Sequence, residues 1–597
     1  MKLTTVLLIP ALAATLTAQP PPRGGGPPLT SLKSVAVPTP PGLDRYVRDT
    51  RALVVLGKAF FWDMQAGSDG QTACATCHFH AGADHRLQNQ LAAPAASSAN
   101  ITPNQTLTPS DFPFRRLANP NDNRSPVLRD TRQIAGSAGV FHRNFFDVAP
   151  SSPAEQGADQ PSTARFALNG VQTRQVTSRN SPSVINAVFN VRNFWDGRAK
   201  EIFTGATPFG DSDPGWNVLA WRDGHLVKEQ IRLENSSLAS QAVGPVLNEM
   251  EMSYLGRTWP KLAQKLLALQ PLGRQAIAAD DSVLGPYANP SGFGLAPSYQ
   301  ALIEAAFEPA YWQAPELPEA NFALFWGLSI QAYEATLVSN DSRVDQFLEG
   351  NQQALSALEQ QGLRAFQDGP SQCALCHQGA EFTAASFSNQ TRRGFNPTDP
   401  RDFGFFRTAV SPLADDPGLN ALDPFGNPLF VTAQPNNLSG AFKSPGLRNV
   451  ELTGPYFHDG GQATLEQVMD FYARQGDFPA GGNLGPGIGQ IRVNPQDRVA
   501  IVAFLKALTD DRVRFQRAPF DHPALCVPTG HAEAAPGILA ADTSDAQFVL
   551  SAIDRWAHIP AVGREGETAP LQTFDELLRG IGNDGSRAHH LTTPCVP

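Results

Sequence analysis

Apolar residues along the chain fall into a few stretches with helical spacing, separated by long polar connections. Leu43 to Trp62 is the first such stretch. WPKLAQKLLAL (Trp259 to Leu269), the strongly apolar ANFALFWGLSIQAYEATLV (Ala320 to Val338) and ALSALEQQGLRAF (Ala354 to Phe366) follow. Thr464 to Gln475 and Pro495 to Asp511 close the series, the last with proline at its first position, where a helix tolerates it. Apolar positions at i, i+3, i+4 and i+7 predict helix, and strict alternation, which predicts strand, is scarce. The expected fold class is therefore mainly α. Residues 86–130 are polar and read as a long surface loop. Residues 19–42 are rich in Pro and Gly and read as a flexible leader.

Two of the helical stretches run into the same five-residue pattern. CATCH spans Cys74 to His78, and CALCH spans Cys373 to His377. Two cysteines three positions apart, followed directly by histidine, form the attachment signal for a covalent c-type haem. The thiols add to the two vinyl groups, and the adjacent imidazole reaches the iron from below. A lone CxxC would leave zinc or a redox pair open. Here both pairs end in His, in a chain of only 6 Cys and 12 His. Cys74, Cys77, Cys373 and Cys376 are expected to carry two haems, with His78 and His377 as proximal ligands. Each half then reads helix, haem motif, loops, helix, the plan of a cytochrome c-like domain with long loops.

Length sets the domain count. At 597 residues one core does not suffice. The division expected is 1–18 signal peptide, 19–42 leader, 43–315 first haem domain, 316–515 second haem domain and 516–597 C-terminal extension. The signal peptide rests on Lys2, the apolar run Leu3 to Leu16 and a cleavage point at Ala18. It predicts a periplasmic or secreted protein. No stretch reaches the length of a membrane span. The net charge of -10 offers no basic excess for nucleic acid. Cys526 and Cys595 remain after haem attachment, and in an oxidising compartment they are expected to pair.

Three blocks carry a family resemblance. They are RNSPSVINAVFNVRNFWDGRA (Arg179 to Ala199), SQAVGPVLNEMEM (Ser240 to Met252) and FKSPGLRNVELTGPYFHDGGQATLEQV (Phe442 to Val468). Together, in this order around the two haem motifs, they resemble the bacterial di-haem cytochrome c peroxidases and the related MauG enzymes over most of residues 50–515. The resemblance implies a first haem that meets hydrogen peroxide and a second that transfers electrons from a small soluble redox protein. It places Glu251 as the distal acid, Gln241 as its amide partner and Trp195 between the haems. It implies a calcium ion held by Asn180, Thr453 and Pro455, which supply oxygen donors including backbone carbonyls.

The chain departs from the peroxidase pattern at three places. Gln172 stands where many of these peroxidases carry a removable histidine, so the first iron is expected to be open. Tyr472 stands where they carry the methionine ligand of the second haem, as in MauG, with Met469 and His558 as alternatives. An insertion of about thirty-five residues between Trp195 and Gln241, with the long tail, is similar to extensions of the secreted rubber oxygenase. That similarity opens an alternative: a haem-dependent dioxygenase cleaving an apolar substrate, with Phe203 or Phe209 lining a channel. A non-enzymatic electron-transfer cytochrome is the third reading. Of the other histidines, His80, His85, His142 and His225 read as surface or propionate-side residues, and His522 and His531 as groups ordering the tail. Mass spectrometry of protein made with a working maturation system should find two covalent haems. Replacing His78 or His377 should spoil the spectrum of one haem alone; a mass corresponding to one haem or none defeats the assignment.

Overall fold

The computed structural model describes residues 29–94, 101–160, 166–392, 402–432, 438–485, 487–542, 550–581 and 590–591. The signal peptide expected at 1–18 and most of the leader lie outside them, as does Cys595. The architecture is mainly helical, with many small sheets set between the helices.

Two helix crossings organise the molecule. In the first half, Thr50–Trp62 packs on Phe322–Glu334. Asp49 opens the earlier helix by accepting from Arg51 and Ala52 N–H groups, which satisfies donors that have no intrahelical partner. In the second half, Ala357–Asp368 packs on Pro495–Lys506. Ser356 and Glu359 form a capping box at the start of the former, and Asn494 caps the latter. Both crossings are closed by glycine. A Cβ on Gly57 would run into the carbonyl oxygen of Ser329, and a Cβ on Gly362 into that of Ala500. Each crossing delivers its first helix to a haem motif, at Cys74 and at Cys373.

Two separate hydrophobic cores surround these crossings. The second gathers Val344, Leu363, Phe366, Phe382, Phe504 and their neighbours. The first contains Phe60, Trp62, Tyr299 and also Phe322 to Leu337. The apolar segment that was expected to begin the second half therefore belongs to the first core, which extends past the boundary read at 315/316. Its helix is apolar around nearly its whole circumference because neighbours cover it on every side.

The strands mark where sequence periodicity misleads. Residues 86–130 contain the pair Arg115–Leu117 with Val127–Asp130, and Leu91–Ala92 pairs with Ile134–Ala135. Phe112 and Phe114 bury themselves against Phe574 of the tail, so this segment is more than a polar loop. The tail forms strands: Leu525–His531 pairs antiparallel with Asp554–Ile559, and Leu550–Ala552 lies parallel to Val171–Gln172. Leu525, Val527 and Trp556 enter the first core. Cys526 is disulfide-bonded, and none of the four haem-motif cysteines takes part in a disulfide. Buried Arg174 fastens the tail by pairing with both Asp69 and Asp554. His531 accepts from the Arg174 backbone N–H at 3.2 Å. Its Nδ1 lies 3.1 Å from an Asp554 carboxylate oxygen.

Gly57→Ala and Gly362→Ala should each destabilise the protein by about 1–3 kcal/mol or more, because overpacking against backbone cannot be relieved by a rotamer change. Denaturant unfolding checks this; unchanged midpoints for both would refute the close-crossing argument.

Candidate functional site

The first haem motif sits on the short helix Ala75–His78. The His78 ring is oriented by its Nδ1, 2.8 Å from the Gly82 carbonyl oxygen. That bond fixes the proton on Nδ1 and leaves Nε2 as the ligating atom. Burial holds the imidazole below its ordinary pKa, which keeps it neutral for a metal. Phe61 packs beside it with ring centroids 6.4 Å apart. Arg86, paired with Asp84, reaches to 3.8 Å from Cys77 Sγ. The same guanidinium donates to the Pro528 carbonyl at 3.0 Å, so the tail strand is tied to the first haem motif.

Glu251 shares this site. Its charge acts on both Cys74 and Cys77. Burial raises its pKa, and Arg198 only partly opposes that rise. The side chain is deep in the molecule yet half-open to the surrounding space. Glu251 is placed by a turn in which its N–H donates to Asn248 at 3.1 Å, and the chain at Gly139 packs so tightly there that a Cβ would meet the backbone of Met250 and Glu251. Gln241 lies on the helix Ser237–Ala242, and its side-chain oxygen is buried without a hydrogen-bond partner. An orphaned acceptor is costly unless a ligand or water supplies a donor. Gln172 is fully buried, with its amide donating to the His142 carbonyl at 3.0 Å.

The second motif faces a large apolar cavity. Cys373, Cys376 and His377 line it, together with Trp195, His458, Met469 and Tyr472. His377 Nδ1 lies 3.1 Å from the Pro445 carbonyl and 3.2 Å from that of Phe382, again leaving Nε2 as the ligand. Burial pushes His377 down to about 4. Met469 and Tyr472 sit one turn apart on Leu465–Ala473, so both present to the same cavity. Burial raises the Tyr472 phenol far above its usual range. His558 does not reach this cavity. It is exposed, on a tail strand that packs on the first core, because Trp556 and Ala557 rather than His558 face inward.

Trp195 bridges the halves. Its Nε1 donates to the Asn180 carbonyl at 2.8 Å, and its own carbonyl accepts from the Lys443 N–H at 2.8 Å. Its ring meets His458 edge-on with centroids 6.3 Å apart, and His458 stacks on Phe442 at 3.7 Å. Asn180, Thr453 and Pro455 all line one pocket beside Trp195. Glu381 lines it too, buried, with one carboxylate oxygen lacking any partner. Sequence reasoning missed Glu381, since nothing in CHQGAEF distinguishes it from a surface acid. Among the described residues no cluster of three or more His, Cys, Asp or Glu forms a metal site.

Other expectations meet mixed outcomes. His80 is buried rather than on the surface, and stacks on His85 at 3.6 Å. His225 is exposed. His522 stacks on Trp62 at 4.7 Å, and His531 is fully buried in the tail junction. Phe203 is fully buried in the first core, so it lines no channel. Phe209 packs beside Phe405, Leu419 and Leu429. The insertion folds as the hairpin Val218–Arg222 with His225–Glu229, whose Arg222 and Glu229 bond the Tyr311 hydroxyl.

Two CxxCH motifs, each with an oriented imidazole, define a di-haem c-type protein. Comparison with known proteins agrees. Residues 152–353 match the family model of the di-haem cytochrome c peroxidase. Cytochrome c551 peroxidase of Pseudomonas aeruginosa is 28% identical over 338 residues, covering 57% of this chain and 66% of the relative. The chain thus spans just under two thirds of that peroxidase. Methylamine utilization protein MauG of Methylophilus methylotrophus is 22% identical over 435 residues, covering 72% of this chain and 96% of the relative. A MauG-like protein associated with microbial copper homeostasis, of known structure, is 19% identical with a TM-score of 0.43, covering 81% and 96% of the two chains. By sequence this chain is similar to the di-haem cytochrome c peroxidases and MauG proteins.

Proposed function

We propose that the protein is a peroxidase-type haem oxidoreductase that reduces hydrogen peroxide at the first haem with electrons arriving through the second. The observation that carries this reading is Glu251. It is a carboxyl group beside Cys74 and Cys77 whose pKa is raised by burial. Cleaving the O–O bond requires a proton to move from the inner to the outer oxygen, and a carboxyl group held beside the iron relays it. The orphaned Gln241 oxygen holds the peroxide O–H or a water in line. The haems, when bound, supply the iron that takes peroxide and the redox capacity that pays out electrons. Cys74, Cys77 and His78 hold the first, and Cys373, Cys376 and His377 the second.

Trp195 is the electron bridge in this reading, since it lines the second-haem cavity and is clamped from both sides of the seam. Tyr472, with Met469 as the alternative, is the distal group of the second haem. A small soluble redox protein is the donor. A calcium ion in the pocket of Asn180, Thr453 and Pro455 would lock the seam, and the unpartnered Glu381 oxygen supplies a charge for it. Of the two channel candidates of the dioxygenase alternative, Phe203 is removed because it is core, and Phe209 is only partly buried. The division into two haem domains is kept as part of this reading, with the boundary read at 315/316 moved past the helix Phe322–Glu334, which packs in the first core.

Glu251→Gln should keep both haem spectra and slow peroxide consumption about a hundredfold or more. Unimpaired consumption would remove Glu251 from the chemistry. Calorimetric titration of calcium into chelator-treated holoprotein should show one site, weakened at least tenfold in Asn180→Ala; absence of binding heat would eliminate the ion.

A further inference from the structure

A second cavity, open to solvent, lies beside His458, which also lines the second-haem cavity. It has a volume of about 160 Å³, the size that accommodates a single benzene ring. Phe114 and Phe478 wall it, and His458 lies at its inner end, with its Nε2 3.1 Å from Ser411 Oγ. Most of its charges are already matched. Asp415 pairs with Arg132, Asp416 with Arg179 and Asp477 with Arg474. Two acceptors are left. Asp459 accepts from the Gly461 N–H at 3.0 Å, and among the described residues no cation lies beside it. Gln462 is 3% exposed, and its side-chain oxygen is buried with no partner. Flat apolar walls with two spare acceptors suit a small ring that carries O–H donors.

We propose that this cavity binds a monocyclic dihydroxyaromatic reductant of the hydroquinone class and passes its electrons inward past His458. The site rests on the peroxidase reading for its oxidant, and gives that reaction a small-molecule donor beside the redox protein. The ring donates one O–H to Gln462 and the other to Asp459. The O–H bond at Asp459 breaks, the proton moves to the carboxylate and then to solvent, and the electron leaves past His458 toward Trp195 and the second-haem cavity. A second such step yields the quinone. In sum the donor loses two electrons and two protons, and one hydrogen peroxide takes both pairs to become two waters. Burial, with Asp477 nearby, pushes Asp459 up to about 7, so it takes and releases a proton near neutrality.

The test uses the holoprotein. Hydroquinone, kept anaerobic with holoprotein whose haems are reduced beforehand so that no electron transfer follows binding, is titrated calorimetrically into wild type, Asp459→Asn and Gln462→Leu. Saturable binding at one site, weakened at least tenfold in either variant with both haem spectra intact, is expected. No binding, or equal binding in all three, overturns the site. In stopped flow without peroxide or oxygen, methylhydroquinone should reduce the haem with a rate that saturates in its concentration; a rate linear in concentration throughout overturns it. Saturable binding and reduction in a protein that does not consume peroxide would leave the site standing and sink the peroxidase reading alone.

Discussion

The close approach of two helices behind each haem motif is the constraint on which the rest depends. A covalent haem needs two thiols and an imidazole presented within five residues, on a turn held firmly enough to face an apolar cavity. The turn itself is too short to be stable alone: Ala75–His78 is a single helical turn, and Cys373–Leu375 is a 3-10 turn. Its rigidity is borrowed from the helix before it, anchored by a crossing where backbone meets backbone. Gly57 and Gly362 permit that approach, since any side chain at either position would overlap a carbonyl of the partner helix. Around each crossing the aromatic rings then settle, Phe60 on Tyr299 in one half and Phe366 on Phe504 in the other.

The seam between the halves obeys a different rule, that buried charge must be matched. Arg179 pairs with Asp196 on its own side and Asp416 on the other, and Asp196 is held far below the usual carboxylate range. Lys443, by contrast, donates among the described residues to the Asn193 amide oxygen alone, at 3.1 Å, and burial drops it to about 7. Near neutrality Lys443 is therefore only partly protonated, which reduces the positive charge beside Trp195. That suits a route for an electron hole, which a fixed ammonium would oppose.

Much of this was legible in the sequence, and the reasons differ by element. The haem motifs and their histidines are local chemistry, so five residues suffice. The helices Ala357–Asp368 and Pro495–Lys506 follow from periodicity and capping residues. The helix Phe322–Glu334 was legible as a helix but not in its allegiance, because a segment apolar on all sides gives no direction in which to look for its partner. The tail strands were missed since Leu525–His531 is buried at every position; without alternation, a seven-residue strand has no period to show. Glu381 and Gln462 were illegible for a further reason. What singles them out is an oxygen left without a partner, a property of the folded surroundings and not of the residue.

The tail shows how an addition outside the resemblance can still bear on the site. Its strand Leu525–His531 lies against the first haem motif, with Cys526 N–H directed at Met64 Sδ at 3.4 Å and the Pro528 carbonyl accepting from Arg86. Arg86 has its carboxylate partner in Asp84 and also touches Cys77, so the tail supplies the acceptor that completes the coordination of a buried guanidinium. A buried charge with an unmet donor costs more than a neutral one. Without the tail, solvent would reach Arg86 and the Cys77 edge of the first site. A lower local dielectric strengthens the fields acting on Glu251 and His78 alike. The extension therefore contributes to the first site by excluding water from its flank, a role that requires no catalytic side chain of its own.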